Sequence, residues 1–357
     1  MEIKIYNKNG IELKLEEKVI NLQELKYETS FEHFLIKEIY EQKIVSKILI
    51  ESLRIEQKDR IYKIRQLISE SNKIVFIGAG SSYNSSLIGA HLLRKLGYES
   101  YAIIASEFEE LNYDKSTLVF LVSQSGETMD TILAAKKLKN KVKALVSIVN
   151  IPYSTLFRIS DYPLEIKAGP EKSVAATKTY TNQVLTFFFL AKELGFKIKI
   201  NKIPKEIEKT IERNENKIKE ISKILKDVKD LFILGRGINF YSSLEIALKL
   251  KEISYIHAEA FYGSELKHGT LALIDENSYV LALAPFWDEN IKVNIEEVEA
   301  RGAKVFSIPQ DFKVSEKYPE FSLYSVIIGQ LLTYYTAKEK GLPIDYPRNL
   351  AKTITVK

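Results

Sequence analysis

Uninterrupted apolar runs closed by small residues are the strongest pattern in the chain. Ile74 to Ile77 stays apolar until Gly78, and Leu118 to Val122 stays apolar until it meets Ser123. Runs of this kind suit strands of a parallel sheet buried on both faces. Ser86 to Lys95 and Thr128 to Leu138 follow them with helical periodicity. Strand and helix therefore alternate, which predicts an α/β fold with a doubly wound parallel sheet and helices on both faces. Upstream, Phe31 to Gln57 repeats apolar residues at helical spacing, Phe34, Ile39 and Ile44 among them, and helices dominate up to Ser71. Residues 3 to 15 alternate apolar and polar around Asn9-Gly10, the signature of a small hairpin.

The strand-to-helix turn recurs. Gly78, Gly80, Ser85, Ser86 and Leu87 match Gly235, Gly237, Ser242, Ser243 and Leu244 in order and spacing, and Ala105-Ser106-Glu107-Phe108 resembles Gly263-Ser264-Glu265-Leu266. Two copies of one α/β unit are expected. Lysine and glutamate crowd the stretch from Lys197 to Lys229, which reads as a solvated connecting helix.

The copies differ at the end of their second strand. The first reads Ser123-Gln124-Ser125-Gly126-Glu127-Thr128, and the second Ala284-Pro285-Phe286-Trp287. Hydroxyls and a glycine between a parallel strand and a helix bring side-chain donors, backbone N–H groups and the positive helix end to one point. One serine there is adequately explained as a helix cap; three hydroxyls in six residues, with Ser81 and Ser82 after the first strand, point to a phosphate. The lysine of a nucleotide-binding P-loop is missing, which favours a simple phosphoester over a nucleotide.

Leu244 to His257 reads as a helix with Glu245, Lys249 and Glu252 on one face, a stripe that fits either a surface ion-pair ladder or the wall of a cleft. Leu244 and Leu248 flank it on one side and Ile246, Leu250 and Ile253 on the other, leaving Ala247, Lys251 and Ser254 as the solvent face. Isomerising a sugar takes a base, a cation near the enediol oxygen and a group that opens the ring. Glu252, Lys249 and His268 can fill those roles, His268 lying in the polar loop Glu265 to Gly269.

Composition narrows the field. The formal charge is +5 from 52 basic and 47 acidic residues, too balanced and interspersed for nucleic-acid binding. No signal-like start and no long uncharged apolar run is visible, so a cytoplasmic protein without a membrane partner is expected. Cysteine is absent, which excludes disulfides, thiolate metal sites and a cysteine nucleophile.

These residues resemble the isomerase part of glucosamine-6-phosphate synthase, a tandem pair of sugar-isomerase (SIS) domains. The resemblance spans HFLIKEIYEQ from His33, GSSYNS from Gly80, SQSGET from Ser123, GPEKSVAATK from Gly169, LEIALKLKEISYIHAEA from Leu244, ELKHG from Glu265 and PRNLAK from Pro347. It implies that Ser82, Ser123, Gln124, Ser125 and Thr128 hold the phosphate, with Val174 and Ala351 lining the sugar site. Glu252 would move a proton between C1 and C2, Lys249 would handle the C1 oxygen, His268 would open the ring, and Lys352 would form a Schiff base at C2. It further implies a homodimer in which His268 enters the neighbouring site, and no metal or organic cofactor.

The family's glutaminase domain is missing, although Met1 to Tyr27 resembles the stretch that follows it, so ammonia or a separate glutaminase chain would supply nitrogen. Thr270, Ala176 and Tyr346 depart from the usual proline, serine and glutamine. The expected organisation is an extension at 1–45, a phosphate-binding SIS domain at 46–196, the connecting helix at 197–229, a second SIS domain at 230–340 and a lysine-bearing tail at 341–357. The expected reaction interconverts fructose 6-phosphate plus ammonia and glucosamine 6-phosphate. The alternatives are fructose 6-phosphate to glucose 6-phosphate isomerisation, or a sugar-phosphate sensor without catalysis.

Overall fold

A computed structural model describes residues 30–352, and the expected hairpin at 3–15 lies outside them. From His33 onward the chain forms one compact unit. It opens with helices α1 (Phe34–Arg54) and α2 (Lys58–Ser69), so α1 runs unbroken through residue 45, where a boundary was expected. Then follow β1 (Lys73–Gly78), α3 (Ser81–Lys95), β2 (Ser100–Ile104), β3 (Thr117–Ser123), α4 (Met129–Leu138), β4 (Ala144–Val149), α5 (Thr155–Ile159), β5 (Tyr162–Glu165) and α6 (Lys178–Glu193). The second half has α7 (Ile203–Leu225), β6 (Asp230–Gly235), α8 (Ile238–Lys249), β7 (His257–Tyr262), β8 (Tyr279–Leu283), α9 (Glu289–Glu299), β9 (Lys304–Ile308) and α10 (Phe321–Glu339).

Both sheets are parallel, ordered β2-β1-β3-β4-β5 and β7-β6-β8-β9. The second order repeats the first without its last strand. Alternating residues of β1 and β3 face opposite layers, as the pleat requires. Val75, Ile77, Val119 and Leu121 join Ile132, Ala135 and Leu138 of α4 in one core. On the other face Phe76 stacks on Phe120 with centroids 4.6 Å apart and meets Phe187 of α6 edge-on.

The duplication reaches the backbone angles. Gly80 has φ 54 and ψ -129, and Gly237 has φ 52 and ψ -127, a conformation open to glycine and strained for other residues. In the helices that follow, Ser86 Oγ bonds Ser82 O and Ser243 Oγ bonds Asn239 O at equivalent positions. The 3₁₀ turns Ala105–Glu110 and Gly263–His268 correspond too, plugging their sheets with Phe108 and Leu266. Flanking helices extend the symmetry: α1 packs on α6 as α7 packs on α10, and α3 meets α8 between the copies.

Two sequence expectations need correction. Helix α7 buries Ile203, Ile207, Ile211, Ile218, Ile221 and Leu225, so only its outer face is solvated. The Leu244–His257 segment is not one helix: α8 gives way at Leu250–Ser254 to a π turn, Tyr255 turns left-handed at φ 54, and His257 opens β7. Ala247 and Ser254 are buried rather than solvent-facing, because α10 packs over both α8 and the π turn.

Candidate active site

Strand order reverses at β1, whose neighbours β2 and β3 lie on opposite sides. In parallel α/β sheets a crevice opens beyond the strand ends at such a point. The loop Gln124–Thr128 enters it directly from β3. Gly126 N donates to Ser123 Oγ at 3.0 Å, Ser123 Oγ pairs with Thr128 Oγ1 at 2.9 Å, and Glu127 N donates to Ser125 Oγ at 3.1 Å. Thr128 precedes α4 in extended conformation, and the first N–H groups of a helix have no intrahelical acceptor. Ser125 and one member of the Ser123–Thr128 pair each keep a proton to give. Across the crevice Ser82 sits on the first turn of α3, its Oγ accepting from Gln183 Nε2 at 3.0 Å.

The charged stripe borders this place. Asn84 of α3 donates to Glu245 Oε2 at 2.8 Å. Lys249 Nζ lies 3.5 Å from Glu245 Oε1 and 2.5 Å from Glu252 Oε2. Glu245 and Lys249 are fully buried, and Glu252, on the π turn, retains 23% side-chain exposure. A surface ladder is therefore ruled out for the inner pair. Burial pushes the Glu245 carboxyl up to about 7, against the pull of Lys249 and Asn84. Burial also works against the Lys249 ammonium, but Glu252 and Glu245 outweigh it and hold its pKa above the ordinary value. What results is a fixed cation with a reachable carboxylate beside it.

The tail closes the site from another side. The Asp345 carboxylate accepts from Phe34 N at 2.9 Å and Leu35 N at 2.8 Å, capping α1, while its carbonyl accepts from Val174 N at 2.9 Å. Arg348 lies over the Tyr255 ring at 4.3 Å, and its N donates to Tyr255 Oη at 2.9 Å. Lys251, Glu252, Tyr255 and Arg348 line an open cavity of about 400 Å³ here. Beyond the exposed Ala351, Lys352 Nζ reaches Glu171 Oε2 and Ser173 O, each at 2.8 Å. The group beside this amine is thus a carboxylate. Burial pushes Glu171 up, but the Lys352 ammonium and donors from Thr177 and Thr179 hold it below the ordinary carboxylate value. The charge of Glu171 also reaches Lys249.

His268 is not part of this cluster; it ends the 3₁₀ turn after β7 and is exposed. The sequence reading also missed two carboxylates. Glu171 lies inside the quoted GPEKSVAATK, and Glu38 inside HFLIKEIYEQ. Glu38 Oε1 accepts from Lys172 N at 2.5 Å and Ser173 N at 3.3 Å, tying the Glu171 loop to α1. A charge on the face shared by Leu35, Ile39 and Gln42 was the available signal.

A model of the SIS domain matches residues 67–193 and 224–311, the two sheets with their crevices. The chain belongs to the SIS-domain family. Among curated SIS relatives, the glutamine–fructose-6-phosphate aminotransferases (isomerising) of Pyrococcus horikoshii and Sulfolobus acidocaldarius are each 38% identical over 91% of this chain. The chain spans 58% and 57% of their lengths. The solved C-terminal domain of glucosamine-fructose-6-phosphate aminotransferase from Francisella tularensis aligns with TM-score 0.76 and 32% identity over 89% of this chain and 99% of that one. Glucosamine-6-phosphate deaminase from Thermotoga maritima aligns with TM-score 0.77 and 27% identity over 90% and 99%. No helix among the described residues is long and apolar enough to cross a membrane.

Proposed function

We propose that this SIS protein interconverts fructose 6-phosphate plus ammonia and glucosamine 6-phosphate plus water. One observation carries the reading: the tail brings the Lys352 amine to the buried Glu171 carboxylate, in a fold that also holds the buried Lys249 ammonium against Glu252 and a hydroxyl-lined turn after β3. A sensor needs only the loop. Ser82, Ser123, Gln124, Ser125 and Thr128 bind the phosphate, with Val174 and Ala351 against the sugar. Lys352 forms an imine at C2, which fixes the open-chain ketose for ammonia. Glu252, next to its cation and open to solvent, carries the proton between C1 and C2. Lys249 stabilises the charge growing on the C1 oxygen.

His268, exposed and apart from these groups, opens the ring in the site of a second copy, so the working unit is a homodimer. Nitrogen comes as free ammonia or from a separate glutaminase chain in the cytoplasm. The activities for which the relatives are named and the coincidence of seven ordered motifs support this reading.

The test is direct. Glucosamine 6-phosphate should yield ammonia and fructose 6-phosphate, and borohydride with fructose 6-phosphate should trap one sugar on Lys352. Lys352→Arg should abolish both and leave phosphate binding intact. Glucose 6-phosphate formed from fructose 6-phosphate, with no ammonia released from the amino sugar, would replace this reading by plain isomerisation. Binding without any turnover would replace it by the sensor.

A further inference from the structure

Before an amine can attack a carbonyl it must lose a proton, and the ammonium of Lys352 touches few acceptors. Two are within reach: Glu171 Oε2 and the Ser173 carbonyl, both at 2.8 Å. The carbonyl can hold a hydrogen but cannot take it. Glu171 can, and it is locked in place. Its Oε1 accepts from Thr177 N at 2.9 Å and Thr179 N at 3.2 Å, and its Oε2 also accepts from Thr179 Oγ1 at 2.8 Å.

Its side chain has no exposed surface. Lys352 is a quarter exposed, so moving the proton from ammonium to carboxylate turns one buried and one half-buried charge into two neutral groups, which lowers the cost of the transfer. Three other charged or titratable groups surround the pair: Glu38 on α1, Lys178 at the start of α6 and Lys249 on α8. Lys178 is occupied by Glu41 at 2.6 Å.

We propose that Glu171 is the base that deprotonates Lys352 and returns the proton to the departing C2 oxygen. The inference rests on the reading of Lys352 as the imine-forming residue. Glu171 takes one proton from the ammonium, and the free amine adds to C2 while the carbonyl oxygen gains that proton from Glu171. The nitrogen then gives Glu171 a second proton, which passes to the C2 hydroxyl as the C–O bond breaks and water leaves. Ammonium and ketone become a protonated imine and water, and Glu171 ends as a carboxylate beside the iminium charge. The Ser173 carbonyl, holding a hydrogen of the same nitrogen, fixes the direction of attack. Glu38, accepting from the backbone N–H groups of Lys172 and Ser173 that lie between Glu171 and this carbonyl, is a positioning residue.

The experiment measures single-turnover trapping of fructose 6-phosphate on Lys352 by cyanoborohydride, followed by peptide mass, from about pH 6.5 to about pH 8.5. Transfer inside the pair makes the wild-type rate flat over this range, whereas an amine that sheds its proton to solvent speeds up about tenfold per pH unit. Glu171→Gln keeps an acceptor for Thr177 and Thr179, so it should lower the rate at neutral pH about 100-fold and restore the rising profile. A carboxylate that merely tethers the ammonium predicts the reverse, because its removal frees the amine. A rate in Glu171→Gln equal to or above wild type, or a rising wild-type profile, overturns the assignment. Absence of trapping in wild type removes the imine reading and this inference with it; trapping on Lys352 in both proteins at one rate removes only the role of Glu171. Should Glu171→Gln fail to fold, as judged by circular dichroism and inorganic phosphate binding, the wild-type profile decides alone.

Discussion

Replacing Gly126 by alanine tests whether the anion loop is held as described. Gly126 has φ +68, and a Cβ there would lie 2.0 Å from Ser154 Oγ and 2.6 Å from Ser154 Cβ. Left-handed backbone costs a non-glycine residue roughly 1–2 kcal/mol. Forcing a methyl into an occupied place adds roughly 1–3 kcal/mol. The cost falls on function as well, because Gly126 N donates to Ser123 Oγ and Gly126 O accepts from Leu156 N at 3.1 Å.

Gly126→Ala should therefore lose about 2–5 kcal/mol of stability in urea denaturation and weaken phosphate-ester binding in parallel. Ser154→Gly removes both clashing atoms, and glycine costs only a few tenths of a kcal/mol at a helix N-cap such as this one. In that background the alanine should cost only the backbone share, about 1–2 kcal/mol, leaving a coupling of about 1–3 kcal/mol. An equal cost of Gly126→Ala in both backgrounds would refute the packing of this loop against Ser154.

Ser125→Ala and Thr128→Ala should each weaken binding of glucosamine 6-phosphate by about 1–3 kcal/mol while leaving glucosamine itself unaffected, as titration calorimetry can measure. Glu38→Gln should flatten the pH dependence of stability. Burial and Glu171 push Glu38 up to about 8, so the stability tied to its protonated form is complete below its unfolded value near 4.5 and is lost as pH rises through about 8. Denaturation at both ends of that window should show wild type losing on the order of a few kcal/mol more than the variant; equal losses would contradict the burial of that carboxyl. Glutamine should not replace ammonium in synthesis by this chain, which has no cysteine to attack the amide, and product formed from glutamine by pure protein would contradict it.

Much of this was legible locally. Apolar runs placed β1 and β3 because a strand buried on both faces leaves no other pattern, and the hydroxyl cluster marked the turn into α4. The repeat was readable because Gly80 and Gly237 need the same unusual angles. What was hidden is long-range. Glu171 meets Lys352 across 181 positions, Glu38 meets Lys172 across 134, and Asn84 meets Glu245 across 161; no periodicity reports such pairs. The break at Leu250 was lost because the side chains there continue a helical pattern while the backbone widens, and α7 was misjudged because its charges outnumber the isoleucines beneath them.

The meeting of α3 and α8 has a consequence for how the molecule can be divided. Each helix starts from its own copy's glycine turn, but the buried bond from Asn84 to Glu245 and the sunken Lys249 belong to neither copy alone. A half cut free after α6 would keep its anion loop and lose the acids and the ammonium beside it. The other half would carry a carboxylate and an ammonium on a bare face, with no amide to meet them, and would have to swell or aggregate to solvate both. Two copies that share these buried groups should not come apart into their units: the two halves should melt as one body, and a split version should regain order only when both pieces are present together.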